Sequence, residues 1–143
     1  MKNHKLGSRS LKNLRGVHPD LVKIVKRALK ICPCDFTVIE GVRTLERQKM
    51  LKASGASKTL RSRHLLVGSP GRGHAVDIVP WINGTVDWND PSNFCRVGHS
   101  MRVAAMDLGI PLTWGAGRMY GGHWSNSFND MPHYQLPWKT YPR

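Results

Sequence analysis

The chain has 143 residues, 40% of them hydrophobic and 22% charged, so it is long enough to bury one globular core but not two. Lysine and arginine total 22 against 9 acidic residues, and the net charge of +13 favours a polyanionic partner such as nucleic acid, an anionic membrane surface or a bacterial cell wall. No run of about 18 apolar residues occurs, which excludes a membrane-spanning helix. No apolar stretch of signal-peptide length follows the basic N-terminus, so we expect a protein made in a cytoplasm.

The first part of the chain shows one helix and one strand. Residues 1–16 are basic, rich in Gly, Ser and Asn and without periodicity, and we expect a loose arm. Pro19 suits the first position of a helix. A stripe of apolar residues at helical spacing follows it, and Pro33 ends the predicted helix. The stripe consists of Leu21, Val25, Ala28, Leu29 and Cys32. A β-branched and aromatic run then predicts a strand over residues 36–39.

The middle of the chain combines a helix, a long loop and a second strand. Thr44 can cap a helix that runs to about Ala53, with Gly55 as its stop. Residues 54–73 form a long polar loop, and long ordered loops are usually functional. A short apolar run predicts a strand over residues 75–80.

A strong hairpin-turn signal follows this strand, where Asn83 and Gly84 lie between two apolar pairs. Asp90 can cap a third helix, which ends at Gly109. Shorter strands are predicted over residues 111–114 and 133–136, with a loop over residues 115–129 between them. Because the hairpin demands antiparallel pairing, we expect one small α+β catalytic domain over residues 1–143. Its antiparallel sheet has helices packed on one face and leaves the other face open for a site.

The cysteines are too few and too irregular for a disulfide framework. Cys32, Cys34 and Cys95 are an odd number, and the first two follow neither a CxxC nor a zinc-knuckle spacing. We therefore expect three reduced thiols.

One carboxylate lies in the middle of the apolar strand at residues 75–80. An ionised Asp77 among valine and isoleucine neighbours is costly unless it is paired or bound to a metal, so partners are expected elsewhere in the chain. The candidates are His64, before a Gly/Pro-rich stretch, and His133 near the C-terminus. His74 should face away from Asp77 by strand alternation. Two imidazoles and one carboxylate suit a catalytic zinc with one position left open for water.

Side-chain alternation predicts that these groups share one face of the sheet. Ala75 and Asp77 lie on the same side of a strand, and the small Ala75 leaves space beside the carboxylate. Pro132 forbids a helix interior, so the segment around it must be a turn leading into a strand. His133 then points at the face that carries Asp77, and Asp130 can reach over the same site.

Each residue of this set has a chemical part in amide hydrolysis. Zinc held by His64, Asp77 and His133 lowers the pKa of bound water to about 7 and polarises a carbonyl. Asp130, close to the metal but not bound to it, would take the water's proton and pass it to the leaving amine. Arg43, at a strand end, can hold a substrate carboxylate or the oxyanion of the tetrahedral intermediate, unless it forms only a salt bridge at the helix start.

These residues fall in motifs that resemble those of the VanY/VanX-like peptidoglycan peptidases, the M15 metallopeptidase family. Ser-Arg-His at residues 62–64 and Gly-His-Ala-Val-Asp at residues 73–77 are similar to its S-x-H and G-x-A-x-D motifs. Asp-Met-Pro-His at residues 130–133 is similar to its D/E-x-x-H motif. Gly-Val-Arg-Thr at residues 41–44, with Gln48, resembles its G-x-R-T…Q segment.

Within that family the chain is most similar to phage endolysins that cut the L-alanyl–D-glutamate bond of the wall peptide, whose third motif likewise begins with Asp. The resemblance implies a hedgehog/D,D-peptidase-like fold and a Zn²⁺ cofactor. It gives His64, Asp77 and His133 the zinc-ligand roles. It also makes Asp130 the catalytic base and Arg43 the substrate or transition-state contact.

The chain departs from the family pattern in two places. Residues 65–72 separate motifs that are usually nearly contiguous, so a longer loop must carry His64 back to the site. Trp-Gly-Ala-Gly-Arg at residues 114–118 stands where related endolysins often show a W-G-G-D-W-like run, which leaves the substrate contacts near residues 114–125 open. His123 is a candidate residue of the substrate cleft.

The endolysin resemblance also implies where the protein works. Its partner would be bacterial peptidoglycan, bound through the basic surface because the chain has no room for a separate wall-binding domain. We expect a monomer with no stable membrane insertion and no nucleic-acid partner. It would be stored in the host cytoplasm and would reach the cell wall, in the periplasm, with the help of a holin-like permeabilising protein.

Three other functions stay open at this point. A basic nucleic-acid-binding domain fits the charge but leaves Asp77 and Asp130 unexplained, because carboxylates repel phosphate. A D-alanyl-D-alanine carboxypeptidase of the same family would release terminal D-alanine, and a catalytically dead domain would only bind the wall. Arg61, Arg63 and Arg72 of the long loop form either a solvated cluster or a wall contact.

Overall fold

Four helices and four strands form in the part of the chain that the computed structural model describes, residues 5–55, 62–66, 71–115 and 131–142. The helices are α1 (Ser8–Asn13), α2 (Pro19–Ile31), α3 (Leu45–Ala53) and α4 (Pro91–Leu108). The strands are β1 (Phe36–Glu40), β2 (Ala75–Pro80), β3 (Thr113–Trp114) and β4 (His133–Gln135).

The four strands form one antiparallel sheet in the order β1-β2-β4-β3. The central strand β2 pairs on one side with β1 and on the other with β4, which comes from the C-terminal end of the chain. The predicted small α+β fold with an antiparallel sheet is therefore confirmed. Asp77 lies on an interior strand of the sheet, so residues distant in sequence reach it from both sides.

Polar caps set the helix ends where the sequence predicts them. The Thr44 hydroxyl accepts a hydrogen bond from the Arg47 amide at the start of α3. The Asp90 carboxylate accepts one from the Ser92 amide at the start of α4. Gly109 ends α4 in the left-handed region, with φ at 67°, which glycine adopts without steric cost.

Helices α2 and α4 build the core against one face of the sheet. The β2 residues Val76 and Ile78 belong to this core, so Asp77 between them projects from the opposite face. The helix residues buried in the core are Leu21, Ile24, Val25, Ala28, Leu29, Val97, Met101, Ala104 and Ala105. Full burial of a large aliphatic side chain stabilises the fold by roughly 1.5–3 kcal/mol. The apolar stripes of the two helices thus decide which sheet face is left for a site.

Helix α1 takes the place of the loose arm that the sequence predicts for residues 1–16. β1 is an edge strand, and Val38 in it has a backbone N–H and a carbonyl that β2 does not pair. The Ser10 hydroxyl accepts a hydrogen bond from the Val38 amide (3.0 Å), and the Asn13 side chain donates one to the Val38 carbonyl (2.8 Å). The arm prediction was wrong for residues 8–13, because polar contacts with a strand edge leave no periodic signal in the sequence.

The turn predicted at Asn83 and Gly84 is present, with φ at 53° and 79°, as a hairpin turn with two left-handed residues requires. It closes a single bridge between Ile82 and Thr85 rather than a hairpin of two long strands. The predicted hairpin is therefore present but only one residue pair long, and it does not contribute strands to the sheet. The sheet instead pairs strands that are far apart in the chain.

The cysteines agree with the prediction of reduced thiols. Cys32, Cys34 and Cys95 are free thiols. In the described ranges, no helix has both the length and the apolar character needed to cross a bilayer.

Candidate metal centre

Strand register puts Asp77 and His133 side by side. Asp77 lies directly opposite His133 in the antiparallel pairing of β2 with β4, so both side chains project from the same face of the sheet. His133 Nδ1 lies 3.2 Å from Asp77 Oδ1. Side-chain alternation in the sequence predicts this orientation, and the register shows it.

His64 reaches the same carboxylate from a turn instead of a strand. The Arg43 amide donates a hydrogen bond to the His64 carbonyl (2.8 Å). The His74 amide donates one to the carbonyl of Arg63, the residue before His64 (2.7 Å). His64 Nε2 then lies 3.4 Å from Asp77 Oδ1. The long connection between the first two motifs does bring His64 back to the sheet.

The three side chains form a compact group with the donor chemistry of a metal site. One ligand atom each from His64, Asp77 and His133 lies within 4.8 Å of the other two. The His64 side chain is 2% exposed, whereas those of Asp77 and His133 are 18% and 20% exposed, so the group is accessible from one side. Two imidazole nitrogens and one carboxylate oxygen suit zinc.

The second nitrogen of His64 determines which atom faces the group. A carbonyl oxygen only accepts hydrogen bonds, so the contact of His64 Nδ1 with the Gly41 carbonyl (2.8 Å) puts the proton on Nδ1. Nε2 then turns a lone pair towards the Asp77 carboxylate. Two facing lone pairs require a proton or a metal ion between them, and a neutral imidazole oriented in this way is the form that binds metals. The residues present therefore fit a metal ion.

Gly41 and Gln135 hold the two imidazoles, a role that the sequence analysis did not give them. A Cβ on Gly41 would lie 1.8 Å from the Asn13 carbonyl oxygen, so only glycine lets this segment approach α1 and present its carbonyl to His64. Gln135 Oε1 accepts a hydrogen bond from His133 Nε2 (2.7 Å), which turns Nδ1 towards the group. The signal for Gln135 is its spacing, because residues two apart on β4 share a face.

The Asp77 carboxyl group is held in its ionised form. Burial raises its pKa, but His133 and His64, which donate to the carboxylate when their rings are protonated, outweigh burial and hold the pKa below its usual range. The side chain is therefore a carboxylate at neutral pH, the form that ligates a cation.

Arg43 lies beside this group in a network of polar side chains. Its Nε donates to the Glu40 carboxylate, and its Nη1 donates to Gln48 Oε1 (2.6 Å) and Ser62 Oγ (3.4 Å). Glu40 is the strand neighbour of Asp77 across β1 and β2, so the network adjoins the metal group. The sequence analysis missed Glu40, whose only signal is its position three residues before Arg43.

The structure places two other candidates away from the metal group. His74 is buried with its ring centroid 5.3 Å from that of His18, outside the metal group as predicted. Burial, together with the nearby Arg63 and His18, lowers the pKa of His74 to about 4. Arg63 is 3% exposed, so the predictions of a solvated cluster or a wall contact were wrong for it. The predicted features outside the described residues are Arg61, His123, Asp130 and the loop from residue 116 to 129.

A His–Asp–His group on the sheet face opposite the hydrophobic core is the kind of centre that metal-dependent hydrolases use. The sequence model of the phage L-alanyl-D-glutamate peptidase family matches residues 2–136. The chain therefore belongs to this family, as its motifs predict, and it is a peptidoglycan hydrolase.

Individual relatives agree with the family match. The L-alanyl-D-glutamate peptidase of Escherichia phage T5 is 38% identical over 115 residues, which cover 78% of this chain and 80% of that protein. The L-alanyl-D-glutamate peptidase of Listeria phage A118 is 34% identical over 107 residues, which cover 75% of this chain but 32% of that protein. The crystal structure of the Serratia marcescens L-Ala D-Glu endopeptidase ChiX is similar with a TM-score of 0.80 at 39% identity, covering 95% of this chain and 92% of that one.

Proposed function

We propose that the protein is a zinc-dependent endopeptidase that hydrolyses the L-alanyl–D-glutamate bond of the peptidoglycan stem peptide. The observation that carries this proposal is the convergence of His64, Asp77 and His133, whose ligand atoms lie within 4.8 Å of one another. The names of the phage relatives and of the Serratia enzyme support the choice of bond.

Zinc would be held by His64 Nε2, Asp77 Oδ1 and His133 Nδ1. When bound, it supplies Lewis-acid chemistry, polarising the scissile carbonyl and acidifying the attacking water. The chain's own contribution is to fix the ligands, because the Gly41 carbonyl and the Gln135 side chain each hold the far nitrogen of one imidazole.

Asp130 is proposed as the general base. It would accept the proton of the attacking water and return it to the amine of D-glutamate as the bond breaks. Its support is its position three residues before His133, in a motif like that of the endolysins. Pro132 between them disfavours a helix interior, so we expect an Asp130 that does not follow the strand alternation of His133 and acts without ligating the metal.

Arg43 is proposed as the contact for the substrate's negative charge. Glu40 binds its Nε and Gln48 its Nη1, whereas Nη2 has no hydrogen-bond partner among the described residues. The guanidinium is thus held in one orientation with one nitrogen left to bind a carboxylate or an oxyanion. In the stem peptide the α-carboxylate of D-glutamate is free beside the scissile bond, because the chain continues through the glutamate side chain.

The basic surface is proposed to supply affinity for the wall. A net charge of +13 attracts anionic groups of the wall. The protein would act as a monomer, accumulate in the host cytoplasm and reach the wall when a holin-like protein permeabilises the membrane. Its proposed partner is peptidoglycan and not nucleic acid.

Mass analysis of the fragments released from purified peptidoglycan tests the proposed bond. We expect new D-glutamate amino groups, with L-alanine left as the C-terminus on the glycan strands. The Asp77→Ala variant, prepared in parallel, should release none of these fragments. Free D-alanine as the main product, with the stem peptides otherwise intact, would make the protein a carboxypeptidase instead.

A further inference from the structure

Arg63 is a buried arginine at the site's edge that the proposed chemistry does not use. Its Nε and Nη2 donate to the Leu136 carbonyl (3.2 and 2.9 Å), and Nη2 also donates to the Tyr141 carbonyl (2.8 Å). Its guanidinium carbon lies 4.0 Å from the centroid of the Trp138 ring, in a cation–π arrangement. An arginine is rarely buried this deeply unless several groups satisfy it.

These contacts join the turn that carries one metal ligand to the strand that carries another. Arg63 directly precedes His64, and Leu136 directly follows β4, which begins at His133. The backbone of Arg63 is fixed as well, because its carbonyl accepts the His74 amide (2.7 Å). The Arg63 side chain therefore spans the distance between the two imidazole-bearing segments.

The C-terminal segment, residues 137–142, closes over this arginine. Tyr141 donates its hydroxyl proton to Asp20 Oδ2 (2.6 Å) and packs edge-on against the His18 ring, with centroids 5.2 Å apart. Both partners belong to the start of α2, so the segment is anchored to the helix layer. The family match ends at residue 136, and the segment lies just beyond it.

We propose that Arg63, clamped by the C-terminal segment, is a positioning residue that holds His64 in the geometry for metal binding. His64 lies outside any helix or strand, so its position depends on contacts such as these. The proposal rests on the proposed function, since it requires His64 to be a zinc ligand.

Zinc affinity, measured by competition with a chromogenic chelator, provides the test. Arg63→Lys keeps the charge but loses the planar guanidinium that donates to the carbonyls of both Leu136 and Tyr141. We expect zinc to bind about 10- to 100-fold more weakly, as when other groups that support metal ligands are changed. Arg72→Lys, the same exchange elsewhere in the long loop, is the matched control and should bind zinc like the wild type.

Two milder changes separate positioning from general destabilisation. Trp138→Ala removes the ring over the guanidinium and should weaken zinc binding, whereas Trp138→Phe keeps an aromatic face and should restore most of it. Melting of each zinc-free variant shows whether the fold itself has been lost, and if Arg63→Lys is unfolded, the Trp138 pair decides. The proposal is overturned if Arg63→Lys is folded and binds zinc as tightly as the wild type. If Arg63→Lys is unfolded, the same result in folded Trp138→Ala overturns it. Failure of the wild-type protein to bind zinc overturns the proposed function as well.

Discussion

The two candidate ligands on strands and the one on a turn are held in place by different means. Asp77 and His133 face each other because β2 and β4 pair in register. The backbone hydrogen bonds between the two strands also fix the separation of these residues. His64 has no such strand pairing. Its position depends on the hydrogen bond that it donates to the Gly41 carbonyl, on the one that it accepts from the Arg43 amide, and on the buried Arg63.

This difference teaches which part of the centre is robust and which part is adjustable. Candidate ligands on strands move only if the sheet moves, and the core that contains Val76 and Ile78 resists that movement. A ligand on a turn can shift when any one of a few polar contacts is lost. Variants of the turn's supports should therefore weaken metal binding gradually, whereas variants of the strand ligands should abolish it.

Removal of the shared strand ligand should have the largest effect. Asp77→Ala takes away the oxygen that lies near both imidazoles, so we expect loss of bound zinc and a fall in peptide hydrolysis of at least about 10³-fold. Elemental analysis and a soluble stem-peptide assay measure the two effects. His99→Ala, at an exposed histidine of α4, is the control and should keep both. Stoichiometric zinc in Asp77→Ala would remove Asp77 from the ligand set.

Asp130 should separate catalysis from metal binding. If Asp130 is the base and not a ligand, as proposed, Asp130→Asn is expected to keep zinc at the wild-type level while turnover falls by roughly 10²–10⁴-fold. The same two measurements check it. If the variant loses its zinc, Asp130 belongs among the ligands and the base must be sought elsewhere.

A substitution at Arg43 tests whether this residue, whose amide supports the turn that carries His64, also contacts the substrate. Arg43→Lys keeps the positive charge, but its single nitrogen cannot bond Glu40 and Gln48 and also contact the substrate. We therefore expect kcat/KM to fall on the order of 10²-fold while zinc is retained. Arg47→Lys, exposed on α3, is the matched control. An unchanged kcat/KM in Arg43→Lys would mean that Arg43 does not contact the substrate and only forms a salt bridge with Glu40.

Salt should have the smallest effect, and it should act on the surface rather than on either kind of ligand. The Debye length falls from about 10 Å at 0.1 M salt to about 3 Å at 1 M. Lysis of intact walls should therefore drop with salt more steeply than hydrolysis of a soluble stem peptide. Equal salt dependence of the two would dismiss the basic surface as a wall-binding device. Salt-sensitive DNA binding without lysis would favour a nucleic-acid-binding domain.

The sequence predicts the strand-borne half of the centre well because its rules are local. Alternation along β2 puts Asp77 on the face opposite Val76 and Ile78, and Pro132 forces the extended segment that carries His133. The helix bounds follow from caps and apolar stripes in the same way. Periodicity does not single out His64. Its place before a Gly/Pro-rich stretch made it a candidate partner of Asp77, and the family motif supplied its role as a ligand.

What the sequence does not predict depends on contacts between distant segments. Helix α1 forms against the edge of β1 through Ser10 and Asn13, and neither residue signals this in isolation. The burial of Arg63 requires carbonyls more than 70 positions away in the chain, as the separations of 73 and 78 residues to Leu136 and Tyr141 show. A basic loop gives no sign of such partners, so it was interpreted as solvated surface.

Anomalous diffraction at the zinc edge from crystals of the zinc-loaded protein tests the central claim most directly. The account predicts one zinc peak bonded to His64 Nε2, Asp77 Oδ1 and His133 Nδ1, at about 2.0–2.2 Å from each. A peak bonded only to the two strand residues, with His64 turned away, would contradict the role given to the turn. A zinc ion bound elsewhere in the molecule would contradict the candidate centre as a whole.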